Sequence, residues 1–185
     1  MTSWLILGVL GLIIVWLVVT YNGLIGLKNQ VKNAWQQIDV QLKRRHDLIP
    51  NLVNAVKGAM QFERDTLERV ITARNLAASA RGPQEASAAE GQLSGALSRL
   101  FALMENYPEL KSSQNVLQLQ EELTSTENRI GFARQLYNDL VARYNIKQEV
   151  FPTNLMASMM GFAIADYFRI DEAEKAAPRV DLSLS

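Results

Sequence analysis

The only histidine of this 185-residue chain, His46, stands in the run D-V-Q-L-K-R-R-H-D-L-I-P-N-L-V at 39–53. The same run holds three consecutive cations, Lys43, Arg44 and Arg45, and two aspartates, Asp39 and Asp47. A histidine beside acids has the composition of a general-base site. The spacing speaks against one. Adjacent residues on a helix point about 100° apart, so Asp47 does not face and orient His46. The chain has no cysteine, which removes disulfides, thiolate metal sites and a cysteine nucleophile together. One histidine cannot supply a zinc site, and no paired E-x-x-H marks a di-iron bundle. No G-x-S-x-G turn, P-loop or G-x-G-x-x-G is present. Glu121 and Glu122 are adjacent, the usual pattern of a wet helix face. The expectation is a protein that is not an enzyme, with no cofactor, no metal and no small-molecule substrate. Nineteen basic and nineteen acidic residues leave no net charge to favour nucleic acid.

The elements that carry these residues read as helices. Val31, Trp35, Ile38, Leu42, Ile49, Leu52, Val56 and Met60 recur at steps of three and four, with Leu67, Val70 and Ala77 roughly in phase. The one gap in the stripe is position 45, where an apolar residue is due and Arg45 stands. Pro50 cannot donate to the His46 carbonyl. The spacing therefore predicts one helix over about 24–81, kinked near 50, with Gly58 a second weak point. Gly82-Pro83 is a loop signal. A shorter stripe (Leu93, Leu97, Leu100, Phe101, Met104) predicts a helix over 85–105. A long one from Val116 to Tyr144 predicts 113–148, passing through Thr124-x-x-Glu127 without restarting there. A last segment is expected at 154–168, and a flexible tail at 169–185. The fold class is all-α: an N-terminal transmembrane helix followed by an elongated antiparallel helical bundle over 24–168, its long helices packed as in a coiled coil.

Trp4 to Tyr21 is the membrane segment. It carries no charge, and the first charged side chain is Lys28. Eighteen residues at ~1.5 Å rise span ~27 Å, close to the hydrocarbon thickness. No basic region precedes it and no small-residue cleavage site follows, so it reads as an uncleaved anchor. Lys28, Lys32 and the 43–45 cluster lie after the span. The positive-inside rule then puts residues 1–3 outside, 4–23 across the inner (cytoplasmic) membrane, and the rest in the cytoplasm.

The cations at 43–45 have two uses, binding acidic lipid headgroups or pairing inside the bundle. Arg45 at a core-phase position needs an acid or carbonyls. Glu127 and Asn128 on the facing long helix are the expected partners for it and for the His46 carbonyl. Residues 28–81 carry ten basic and five acidic side chains, and 82–185 nine and fourteen, so the halves could attract. The uncharged run 150–165, with Met156, Met159 and Met160, packs on the bundle, on a partner or on the membrane.

Several blocks are recognisable together: Tyr21-Asn22, I-D-V-Q-L-K-R-R-H-D-L-I-P-N-L-V at 38–53, Tyr107-Pro108-Glu109-Leu110-Lys111, and L-Q-L-Q-E-E-L-T-S-T-E-N-R-I at 117–130. Ala133-Arg134, Tyr137-Asn138, Tyr144-Asn145 and Phe151-Pro152 follow in order. In these the chain resembles the LemA family of bacterial membrane proteins. It departs from the family pattern at Gln61-Phe62-Glu63, where many relatives place a histidine. The resemblance implies an N-terminal anchor, a helical cytoplasmic domain and no known catalysis. The residues expected to carry structure or interaction are Asp39, Arg44, Arg45, Pro50, Glu127, Asn128, Arg129, Arg134, Tyr137, Met156, Met159 and Met160. The expected role is a membrane-anchored scaffold or adaptor, self-assembling or bound to another membrane protein, with a protease-related partner implied by the resemblance. The other reading is a lipid- or membrane-stress-responsive module acting through the basic first helix and 150–168.

Overall fold

The computed structural model describes residues 2–169, and every regular element among them is helical. In order these are α1 (Thr2–Val56), α2 (Arg64–Ser79), α3 (Gly82–Met104), α4 (Pro108–Lys111), α5 (Gln114–Glu149) and α6 (Thr153–Met159). The chain divides into two compact units. One comprises residues 1–40 with 130–167, the other 41–129 with 168 onward.

In the first unit, residues 3–19 of α1 expose their apolar side chains. One 18-residue window here is long and apolar enough to cross a membrane. Burial begins with Thr20 and Leu24 and continues through Val31, Ala34 and Ile38. Trp35 meets Tyr137 of α5, ring centroids 5.7 Å apart. The segment after α6 lies against α5. Asn145 clasps the backbone of Ala165, donating to its carbonyl (3.0 Å) and accepting from its amide (2.9 Å).

In the second unit, Ile49, Leu52, Val53 and Val56 of α1 join Met60, Leu67 and Val70, then Leu93, Leu97 and Leu100 of α3, and Val116 and Leu123 of α5. Emptying one such leucine site costs about 2–5 kcal/mol. α2 and α3 pack as a hairpin across Gly82, whose φ of 75° suits glycine, followed by Pro83 in the first helical turn. Glu85 Oε2, in the first turn of α3, accepts from the Arg81 amide at 3.0 Å and satisfies the N-cap donor.

Two expectations need correction. No single helix runs over 24–81. The span and the first bundle helix form one helix, α1, which passes unbroken through Pro50 and ends at Val56; a turn at 57–63 separates it from α2. The turn contains Gly58, and it folds α2 back so that Met60, Leu67 and Val70 enter a core shared with α3. A stripe in constant phase does not distinguish one helix from two whose phases agree. Second, the last helix is not 154–168 but stops at Met159. The stop is a Schellman motif: the Phe162 amide donates to the Ala157 carbonyl (3.0 Å), that of Gly161 to Ser158 (3.4 Å), and Gly161 has φ 70°. The small-residue start of α3 is packed, with Ala86, Ala89 and Glu90 buried. α3 begins at Gly82, three residues before the expected start at 85, and α5 covers 114–149 against an expected 113–148. The expected flexible tail beyond 169 lies outside the described residues.

Candidate functional site

The buried charges of the second unit gather where α1, α3 and α5 face one another. Arg45 occupies the apolar register of α1, and Glu90 occupies the apolar register of α3, in step with Ala86, Leu93 and Leu97. Arg45 Nη1 donates to Glu90 Oε2 at 3.0 Å, and Nη2 to Ser94 Oγ at 2.9 Å. The other oxygen of Glu90 accepts from His46 Nε2 at 2.5 Å, since a carboxylate offers only acceptors. A charge placed in an apolar interior must be paired and hydrogen-bonded. Here one carboxylate serves both the guanidinium and the imidazole.

Glu127 of α5 closes the cluster from its wetter side. Its Oε2 lies 2.7 Å from Arg45 Nη1 but lacks the alignment of a hydrogen bond. The contact is therefore a pairing of charges, and with Glu127 39% exposed it is screened more than the Glu90 pair. Asn128, the other expected partner, is exposed. Neither residue serves the His46 carbonyl, and Glu127, a pure acceptor, has no proton to give it. Arg74 of α2 donates to that oxygen from Nε at 3.0 Å. Pro50 thus removes a helix donor, and an arginine from another helix replaces it.

The remaining cations of the run are also paired. Lys43 meets Asp47 at 3.2 Å, one turn on, and Arg44 meets Glu122 of α5 at 3.6 Å. Arg44 and Arg45 of the basic half therefore engage Glu122, Glu90 and Glu127 of the acidic half. Thr124 lies inside α5 and donates to the Gln120 carbonyl at 2.8 Å, as a helix-interior threonine does.

The first unit holds the other expected residues. Asp39 is exposed and Arg134 half-buried. Tyr137 is buried, and its hydroxyl donates to the Asp166 carbonyl at 2.8 Å. Burial, and then the Asp166 charge, push this hydroxyl up to about 12, and burial raises Tyr144 as well. Met156 is buried with Thr153 and Ala157, whereas Met159 and Met160 are exposed. Arg129, at the end of the second unit's part of α5, is exposed. A row of exposed residues on α5 keeps steps of four and three: Phe132, Leu136, Asp139, Arg143 and Ile146. Such spacing makes one face of a helix.

Glu90, Ser94, Arg74 and Asn145 were not among the expected residues. Glu90 had a signal. It breaks the apolar phase of α3 as Arg45 breaks that of α1, and two opposite charges in core register call for each other. Arg74 and Asn145 bond to backbone distant in sequence, for which no pattern speaks.

Comparison with known proteins accords with this structure. The chain is 29% identical over 168 residues to Protein LemA of Metamycoplasma hominis, covering 89% of this chain and 74% of that protein. It is 24% identical to Magnetosome protein MamQ 2 of Paramagnetospirillum magneticum, covering 83% of this chain and 66% of that one. The figures for Magnetosome protein MamQ of Magnetospirillum gryphiswaldense are 24%, 82% and 65%. The chain thus spans about two-thirds of the two MamQ proteins. The model of the LemA family matches residues 34–182, from α1 before the charged run to the last residues of the chain. The chain belongs to the LemA family.

Proposed function

We propose that this protein is a non-catalytic scaffold or adaptor, anchored by α1 in the inner membrane with its N-terminus outside and its helical domain in the cytoplasm. The carrying observation is that the histidine-containing cluster is internally consumed. Glu90 is shared between Arg45 and His46, Arg45 also reaches Ser94 and Glu127, and the His46 carbonyl is taken by Arg74. Such a cluster fixes helices against one another and offers no poised base to a substrate. The names of the relatives denote no reaction, in keeping with this reading. The exposed face of α5 around Phe132, Leu136 and Ile146 is a surface for a second copy or another membrane protein.

Crosslinking of the full-length protein in its native membrane, followed by mass measurement, tests the role. Oligomers or a co-purifying membrane protein are expected. A purely monomeric species with nothing attached counts against it. His46→Gln keeps an N–H donor for Glu90 and should preserve assembly. Loss of cellular function with folding and assembly intact would revive a catalytic histidine.

The alternative, a lipid- or stress-responsive module, is weakened at the 43–45 cluster. Lys43, Arg44 and Arg45 all have acidic partners within the protein. What favours it is the set of exposed apolar residues after Glu149. Flotation with anionic liposomes of a chain lacking residues 1–23 discriminates, and binding independent of anionic lipid removes the basic-helix version.

A further inference from the structure

The uncharged run 150–165 is apolar on two sides at α6. Thr153, Met156 and Ala157 face inward, while Phe151, Leu155, Met159 and Met160 are exposed, Met159 to 87%. A short helix with apolar residues on its outer face is ill suited to water. Its location in the first unit supplies the occupant. The Phe162 ring packs edge-on against Tyr21, centroids 6.0 Å apart, and Lys28 Nζ sits 5.9 Å above the same ring. Tyr21 ends the apolar span, and Lys28 is the first charge after it. The buried surface of α1 also starts early. Thr20 is 7% exposed, whereas its neighbour Val19 is 65% exposed. The Tyr21–Phe162 contact brings the 130–167 part of the unit to the last turn of the span. The chain just after α6 therefore meets α1 where the apolar span ends.

We propose that α6 and the residues up to Phe162 lie in the interfacial layer of the leaflet from which α1 emerges, forming a second, monotopic membrane contact. Phe151, Leu155, Met159 and Met160 enter the acyl–headgroup boundary, and Lys28 above the Phe162 ring sits at headgroup level. Toward Asp166 the chain leaves the membrane, because Ala165 is held by Asn145 and the Asp166 carbonyl by Tyr137. The contact fixes the rotation of the domain about its anchor, which one spanning helix alone leaves free. This inference rests on the membrane-anchored reading of α1.

The absence of cysteine makes site-specific labelling direct. Met159→Cys and Leu155→Cys, each carrying an environment-sensitive fluorophore, are placed in the full-length protein in phosphatidylcholine–phosphatidylglycerol vesicles. Leu12→Cys serves as the mid-span reference. Gln36→Cys, exposed on α1 and ~22 Å beyond Tyr21, serves as the aqueous reference. Circular dichroism checks the fold of each labelled protein. Labels at 155 and 159 should emit to the blue of the label at 36. Phosphatidylcholine with a nitroxide high on its acyl chain should quench them several-fold more than it quenches 36, and iodide should barely affect them. If the label at 12 is quenched by lipid while those at 155 and 159 behave like 36, the interfacial contact is wrong and the anchor stands. Shielding from iodide without quenching by lipid also overturns the contact, since a protein surface then covers α6. A label at 12 that behaves like 36 defeats the anchor and the contact together.

Discussion

Glu90 holds two partners at once, and its loss should be felt more than that of any other acid near Arg45. Glu90→Ala leaves the buried guanidinium with Ser94 and the off-axis Glu127 only. A destabilisation of about 3 kcal/mol is expected, the low end for breaking a buried pair because Glu127 remains. Glu127→Gln, at the wetter side, should cost less than about 1 kcal/mol. Urea unfolding of the full-length protein in detergent, followed by circular dichroism, compares the two, and equal costs would contradict the geometry. Tyr137 gives a pH signature. Its hydroxyl is raised from the ordinary 10.0 to about 12 in the folded state. Folding therefore favours the protonated phenol, and this contribution is complete below pH 10 and lost as pH climbs toward 12. Tyr137→Phe should cost about 1 kcal/mol at neutral pH through the lost hydrogen bond to Asp166. It should also flatten the alkaline fall in melting temperature, with Tyr144 leaving a residue of it. An unchanged alkaline slope would remove Tyr137 from that role.

At the scale of elements, Pro50 of α1 and Arg74 of α2 act as a pair through the His46 carbonyl. Proline deprives the His46 carbonyl of its helical donor, and Arg74 of α2 supplies one. Pro50→Ala returns an N–H to the helix. Arg74→Met should then destabilise less in the Pro50→Ala background than in the parent, by about 1 kcal/mol, the worth of one hydrogen bond. A double-mutant cycle measures this coupling, and additive costs would show that Arg74 acts elsewhere. The ends of the elements follow local chemistry where glycine takes a left-handed conformation, at Gly82 and Gly161. The turn after Val56 has no such marker among its residues. Gly58 weakens the helix there, but burial of Met60, Leu67 and Val70 against α3 decides that the chain folds back.

For the whole molecule, the exposed row on α5 bears on assembly. Phe132 and Leu136 stand one turn apart and are 75% and 48% exposed. The double substitution Phe132→Glu with Leu136→Glu removes apolar surface without touching either core. Helix content and thermal unfolding should stay unchanged, whereas crosslinked oligomers or a co-purified partner should fall several-fold. Retained assembly would move the interface off α5.

The sequence by itself determined the all-α class, the apolar span, the register of each stripe and the misplaced charge at Arg45. Each depends on side chains within a few turns of one another, where a period of 3.6 residues fixes which face a residue occupies. Only the tertiary structure decided which residues answer those faces. Glu90 meets Arg45 and His46 across some forty-five residues, Arg74 caps a carbonyl twenty-eight residues away, and Asn145 holds the segment at Ala165. Phase says that a group is buried and not what it is buried against. That choice is made when helices distant in sequence satisfy each other's desolvated groups.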